Sequence, residues 1–252
     1  MRKLVSVRLL FGMMLLGCLL LVPGFLLAAD YAAIDALDDE VTIDNYKQAI
    51  TLCEKALAEN PNDFEAAWRC ARAYRWYGEL SKRAQVEGWK DICAKYGKDG
   101  MNMAQKAIDQ QPNKPDGYYW YALNVGIYSD GVSILTALKE GLKNKTQESF
   151  EKVYATDKLY EEAGSILGLG RFWAVLPWPL NDKDLSLKYY REYQKTEFFG
   201  QKAEGPIYLA ELLIQMGGDE NKAEAKSLLQ EKLKTDSKYF LDWKDRLLKD
   251  AE

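Results

Sequence analysis

The stretch YKQAITLCEKALAENP, residues 46 to 61, decides how the rest of this chain is read. Ala49, Cys53, Ala56 and Leu57 fall at i, i+4, i+7 and i+8, which puts small and apolar side chains on one face of a helix, and Pro61 stops it. A second amphipathic helix follows at once in DFEAAWRCARAYRWYG (63 to 78), with Trp68, Cys70, Ala71 and Tyr74 on its buried face. The pattern then returns. DGMNMAQKAIDQQP (99 to 112) carries Gly100, Ala104, Ala107 and Ile108 at the same intervals before Pro112, and PDGYYWYALNVG (115 to 126) is its partner. A third copy is TQESFEKVYATD (146 to 157), followed by YEEAGSILGLGRFW, and a weaker fourth is DLSLKYYREYQKT (184 to 196), followed by GPIYLAELLIQMGG. NKAEAKSLLQEKLKTD (221 to 236) and KYFLDWKDRLLKDAE close the chain.

One helical pair cannot bury its apolar stripe alone, whereas stacked pairs share a continuous core. The sequence therefore predicts an all-α, right-handed solenoid of four or five helix pairs. Its spacing resembles the tetratricopeptide repeat, with lengthened helices and inserted loops, because Pro61, Pro112 and Asp157 lie more than 34 residues apart. Two insertions account for the length. ELSKRAQVEGWKDICAKYGK (79 to 98) prolongs one helix and returns into the next. In IYSDGVSILTALKEGLKNK (127 to 145), Ser129-Asp130-Gly131 is expected to break the helix and present the apolar stretch Val132 to Leu142, a candidate oligomerisation surface.

Composition excludes several functions. A net charge of -4 from 34 basic and 38 acidic residues offers no basic stripe for nucleic acid. With no histidine, triads and zinc sites built on that residue are ruled out. Cys53, Cys70 and Cys93 have no C-x-x-C spacing, so no metal site or cofactor is indicated. They read as buried small hydrophobes, with a disulfide between two of them as the alternative. GLGR (168 to 171) lacks the rest of a dinucleotide fingerprint and no nucleophile-elbow or Walker motif is present, so the chain reads as a non-catalytic protein.

Residues 1 to 29 form a separate segment. Arg2, Lys3 and Arg8 precede an apolar run from Leu9 to Ala29, which reads as a secretory signal cleaved near Ala29, with an uncleaved anchor and lipidation at Cys18 as alternatives. Residues 30 to 252 are then an exported, periplasmic repeat domain.

WYALNVGIYSDG, a helix ending ESFEKVYATD, and LGLGRFWAVLPWPL together resemble the bacterial TRAP-associated T-component (TatT-like) lipoproteins. These are exported helical repeat proteins related in style to the eukaryotic regulators of microtubule dynamics. The resemblance implies a scaffold that holds a protein or peptide partner, such as a periplasmic solute-binding protein, with an apolar cavity running through the stack. A carrier or sensor of an apolar small molecule is the alternative.

The candidate sites are aromatic and basic. Four consecutive aromatics, Tyr118 to Tyr121, point all round their helix, so some must leave the core; Tyr118 and Tyr121 are assigned to a groove. In GRFWAVLPWPL (170 to 180), Trp173 and Trp178 either pack a corner between repeats or line that groove. Arg171, in an apolar helix, is assigned to the same groove and is expected to have a paired carboxylate. Arg69, Arg72 and Arg75 recur at intervals of three and, beside Trp68 and Trp76, form a basic edge that is either a solvated helix face or a docking site for an acidic partner.

Overall fold

The computed structural model describes residues 31–252, so the expected secretory signal, with Cys18 and the expected cleavage near Ala29, lies outside the described residues. The elements are α1 (Tyr31–Ala36), α2 (Ile43–Glu59), α3 (Phe64–Arg83), α4 (Trp89–Gln110), α5 (Pro115–Val132), α6 (Ile134–Lys139), α7 (Leu142–Thr156), α8 (Tyr160–Val175), α9 (Lys183–Gln194), α10 (Glu204–Met216), α11 (Asp219–Gln230) and α12 (Lys238–Asp250). Among the described residues there is no strand, and no helix is long and apolar enough to cross a membrane. The solenoid is all-α, with pairs α2/α3, α4/α5, α7/α8, α9/α10 and α11/α12.

Local chemistry sets the boundaries. The Thr42 hydroxyl accepts from Asn45 N at 3.2 Å and the Asp63 carboxylate from Ala66 N at 3.1 Å, capping α2 and α3. Pro61 disfavours helical geometry at Asn60, which ends α2 in extended conformation. Where the third copy has Asp157 in place of proline, its side chain accepts from Leu159 N at 3.0 Å and makes the same stop as a turn. Asp182 caps α9 through Leu185 N at 2.8 Å.

The faces read from sequence are the buried ones. Ala49, Cys53, Ala56 and Leu57 of α2, and Trp68, Cys70, Ala71 and Tyr74 of α3, enter one large core that continues through α5 to Leu169. A second core gathers Tyr190, Leu209, Leu213, Leu229, Phe240 and Leu247 from α9 to α12. Cys53, Cys70 and Cys93 are free and buried, not paired. Burial pushes the Cys93 thiol up to about 12, and the Cys53 thiol beside it, with burial, raises that of Cys70.

The expected break at Ser129-Asp130-Gly131 does not occur. The Ser129 hydroxyl bonds the Val125 carbonyl at 2.8 Å, α5 runs on to Val132, and the chain turns at Ser133 with φ 131°. Gly131 instead permits close helix packing: a Cβ there would stand 2.3 Å from Ala94 N and 2.5 Å from Lys90 O of α4. Asn124 locks the same helix to α3, donating to Ala71 O at 2.9 Å. The apolar stretch after it folds as α6 and largely turns inward, leaving Leu135 as its exposed large residue.

Candidate functional site: a cavity inside the stack

The second helices of the pairs face one another. Between α3, α5, α8, α10 and α12, with α6 and the start of α7 closing one side, lies a cavity of about 600 Å³. One part of its wall is aliphatic, from Val125, Ile134, Leu138, Leu142, Leu167 and Leu176. Another part is charged and aromatic, built on Arg75, Trp76, Glu79 and Lys82 of α3, Arg171 of α8, and Tyr208 and Trp243 of α10 and α12.

The charged wall holds the stack closed. Glu79 is only 7% exposed. Arg83 Nε lies 2.7 Å from it, Lys82 Nζ 3.4 Å and Arg75 Nη2 3.8 Å. Burial alone would raise the Glu79 carboxyl, yet Arg75, Lys82 and Arg83 together hold it well below the ordinary carboxylate range. From this centre the network reaches the far end of the chain. Arg83 Nη2 bonds Glu204 of α10 at 2.9 Å, and its guanidinium lies 4.5 Å over the Phe240 ring of α12. Lys82 also bonds Asp130 of α5 at 2.7 Å. Side chains of the first repeat thus meet those of the last two pairs.

Also in the lining, α8 begins with a left-handed turn: Glu161, Glu162 and Ala163 have φ of 49°, 59° and 60°. Each such non-glycine residue costs about 1–2 kcal/mol. The turn directs Glu161 and Glu162 at the cavity, where Glu162 pairs with Lys202 at 2.6 Å. Burial raises the Glu161 carboxyl above its ordinary value, against the opposing pull of Arg72 and Lys202. Gly164 follows because a Cβ would fall 2.2 Å from the Tyr119 hydroxyl.

The residues singled out from sequence are distributed unevenly over this geometry. Arg171 lines the cavity, and its carboxylate is Glu211 of α10, with the Tyr208 ring 4.5 Å and the Trp243 ring 5.4 Å from its guanidinium. Trp76, assigned to the outer edge, is in the wall instead. Of the aromatic run, Tyr119 and Trp120 face the cavity, while Tyr121 packs beneath Lys145 and the Tyr118 hydroxyl bonds Pro112 O at 3.2 Å, so neither Tyr118 nor Tyr121 lines it. The helix turns its 119/120 side to the cavity, a rotation that four adjacent aromatics do not encode. Trp173 stacks edge-on against Phe172 outside the lining, and Trp178, 87% exposed between Pro177 and Pro179, projects into solvent. GRFWAVLPWPL is therefore a corner whose Phe172 and Leu176 are buried and whose tip is bare.

The edge at Trp68, Arg69 and Arg72 does meet acids, but they are the chain's own. Arg69 and Arg72 bond Asp35 of α1 at 2.8 and 2.7 Å, Arg72 bonds Asp38 at 2.8 Å, and both guanidinium groups cover Trp68. Sequence reasoning placed Arg75 on that outer edge, whereas it lines the cavity, and it missed Glu79 and Trp243. The spacing of Arg75, Glu79, Lys82 and Arg83 along α3 was the available signal.

The profile of the regulator of microtubule dynamics protein 1-3 family matches residues 30–171, more than half of the chain. The chain belongs to that family. For this regulator-family member, the match spans α1 to α7 and most of α8, so the wall supplied by α10 and α12 lies beyond it. The crystal structure of a thermophilic tetratricopeptide-repeat protein from Thermus thermophilus superposes with a TM-score of 0.59 at 19% identity, covering 87% of this chain and 97% of that one. That likeness establishes the shared fold. No curated protein matches the chain in sequence.

Proposed function

We propose that this chain is a non-catalytic binding protein that takes a small molecule, with an apolar body and a polar end, into the interior of its helical stack. The observation that carries the reading is the cavity: about 600 Å³, with an aliphatic part and a charged, aromatic part in one continuous wall. That volume is typical of sites that bury a small ligand, for which about 300–1,000 Å³ is usual. Charged groups share the lining with the apolar side chains that the family resemblance implies. The charged, then apolar, segment 1–29 supports export to the periplasm, and the T-component-like motifs support a place beside a TRAP-type solute transporter.

A protein partner is the second reading, as the tetratricopeptide-like fold suggests an interaction scaffold. The feature that favours it is the tip of the α8–α9 corner, where Trp178 is 87%, Leu180 41% and Val175 39% exposed.

Native mass spectrometry of the protein as recovered from the cell tests the first reading. A retained mass of a few hundred daltons, absent when Leu167→Trp fills the cavity of a folded variant, is the expected result. Protein that carries no adduct, and binds no amphiphile added back, overturns it.

A further inference from the structure

The polar wall of the cavity is not electrically idle. Lys82 has Asp130 at 2.7 Å, Lys202 has Glu162 at 2.6 Å and Arg171 has Glu211, so these lining cations are each matched. Lys143 bonds Gln147 at 3.3 Å and rests over the Trp173 ring. Arg75 differs. Its nearest carboxylate oxygen, on Glu79, is 3.8 Å away and is held more closely by Arg83 and Lys82. Its Nε and Nη1 are buried with no acceptor, while the guanidinium lies 4.1 Å over Trp76. Trp243 Nε1, in the same wall, is also buried without a partner.

These unpaired groups are all donors. A buried charged donor without an acceptor is costly, and an ionised acceptor offers it the strongest hydrogen bonds. We propose that the cavity takes an amphipathic anion whose carboxylate or phosphate accepts from Arg75, with its hydrocarbon chain along Ile134, Leu138, Leu142, Leu167 and Leu176. The proposal rests on the interior-ligand reading and adds the sign and position of the polar end. Arg75 supplies charge and N–H groups, Trp76 fixes the plane of its guanidinium, and the aliphatic wall excludes water from the chain.

Calorimetric titration of the delipidated full chain with three probes separates the possibilities, below the concentrations at which they self-associate: hexadecanoate, its methyl ester and hexadecyl phosphate. At least one anion is expected to bind about tenfold or more tightly than the ester, since one charge-assisted hydrogen bond suffices for that ratio. Whichever anion binds tighter identifies the head group. Arg75→Met is expected to erase the preference while leaving ester binding intact, and Arg75→Lys, which keeps the charge, to retain part of it. Ester binding also reports that the Met variant is folded. Equal binding of anions and ester by the native chain overturns the proposal while the interior-ligand reading stands, as does a preference that survives Arg75→Met. Failure of all three probes to bind overturns both.

Discussion

Replacing Glu79 by Gln removes the negative centre of the network that joins the first repeat to the last. The side chain keeps its size and an acceptor for Arg83, but three cations within 4 Å lose their shared charge. Breaking a buried ion pair costs about 3–5 kcal/mol. The lower end applies here because Arg83 retains Glu204 and Lys82 retains Asp130, leaving Arg75 the most exposed to the loss. A loss of about 3 kcal/mol in a chain of this length lowers the melting temperature by about 6–12 °C. Urea unfolding followed by far-ultraviolet circular dichroism and by tryptophan fluorescence measures it, and coincident transitions show whether the stack unfolds as one unit. The pH dependence gives a second check. The Glu79 carboxyl is depressed in the folded state from an ordinary value of 4.5, so its contribution is present above that value and lost as pH falls below it. The gap between native and Glu79→Gln proteins should therefore narrow as pH falls below about 4.5. A difference under about 0.5 kcal/mol at pH 7, the range of ordinary surface substitutions, refutes the network's role. So does a gap that widens in acid.

Gly131→Ala should destabilise by about 1–3 kcal/mol, because the added methyl meets α4 backbone atoms at 2.3 and 2.5 Å that have no side-chain freedom to yield. Gly126→Ala in the same helix meets nothing within 4 Å and should stabilise by up to about 1 kcal/mol, so matched thermal melts that show no difference between the two would count against the tight α4–α5 crossing. Trp178→Ala should leave stability within about 0.5 kcal/mol and remove the most iodide-accessible part of the tryptophan emission. A large drop in melting temperature would mean that the indole is packed.

Interior of the stack and edge of the stack differ in how far sequence could reach them. Arg171 could be singled out from sequence because a charge amid Leu167, Leu169 and Phe172 must find an acid, although which acid was set by the approach of α10. Arg69 and Arg72 could be singled out as a basic edge, although the acid they share, Asp35, came from α1, more than 30 residues earlier. Arg75 and Glu79 look identical in kind to any solvated i, i+4 pair, and only the curl of the solenoid turns that face inward.

Helix faces are local properties. Small residues at intervals of four and three, with Asn60-Pro61 and Asp157 as stops, determine the pairs and their buried stripes, since each depends on neighbours within two turns of chain. The rotation of α5, the inward fold of α6 and the meeting of Arg83 with Glu204, 121 positions apart, depend on how pairs pack on one another. A repeat specifies its own apolar stripe and its contact with the next repeat. The void those contacts enclose, and the charges that face it, exist only once the last pair has come round to the first.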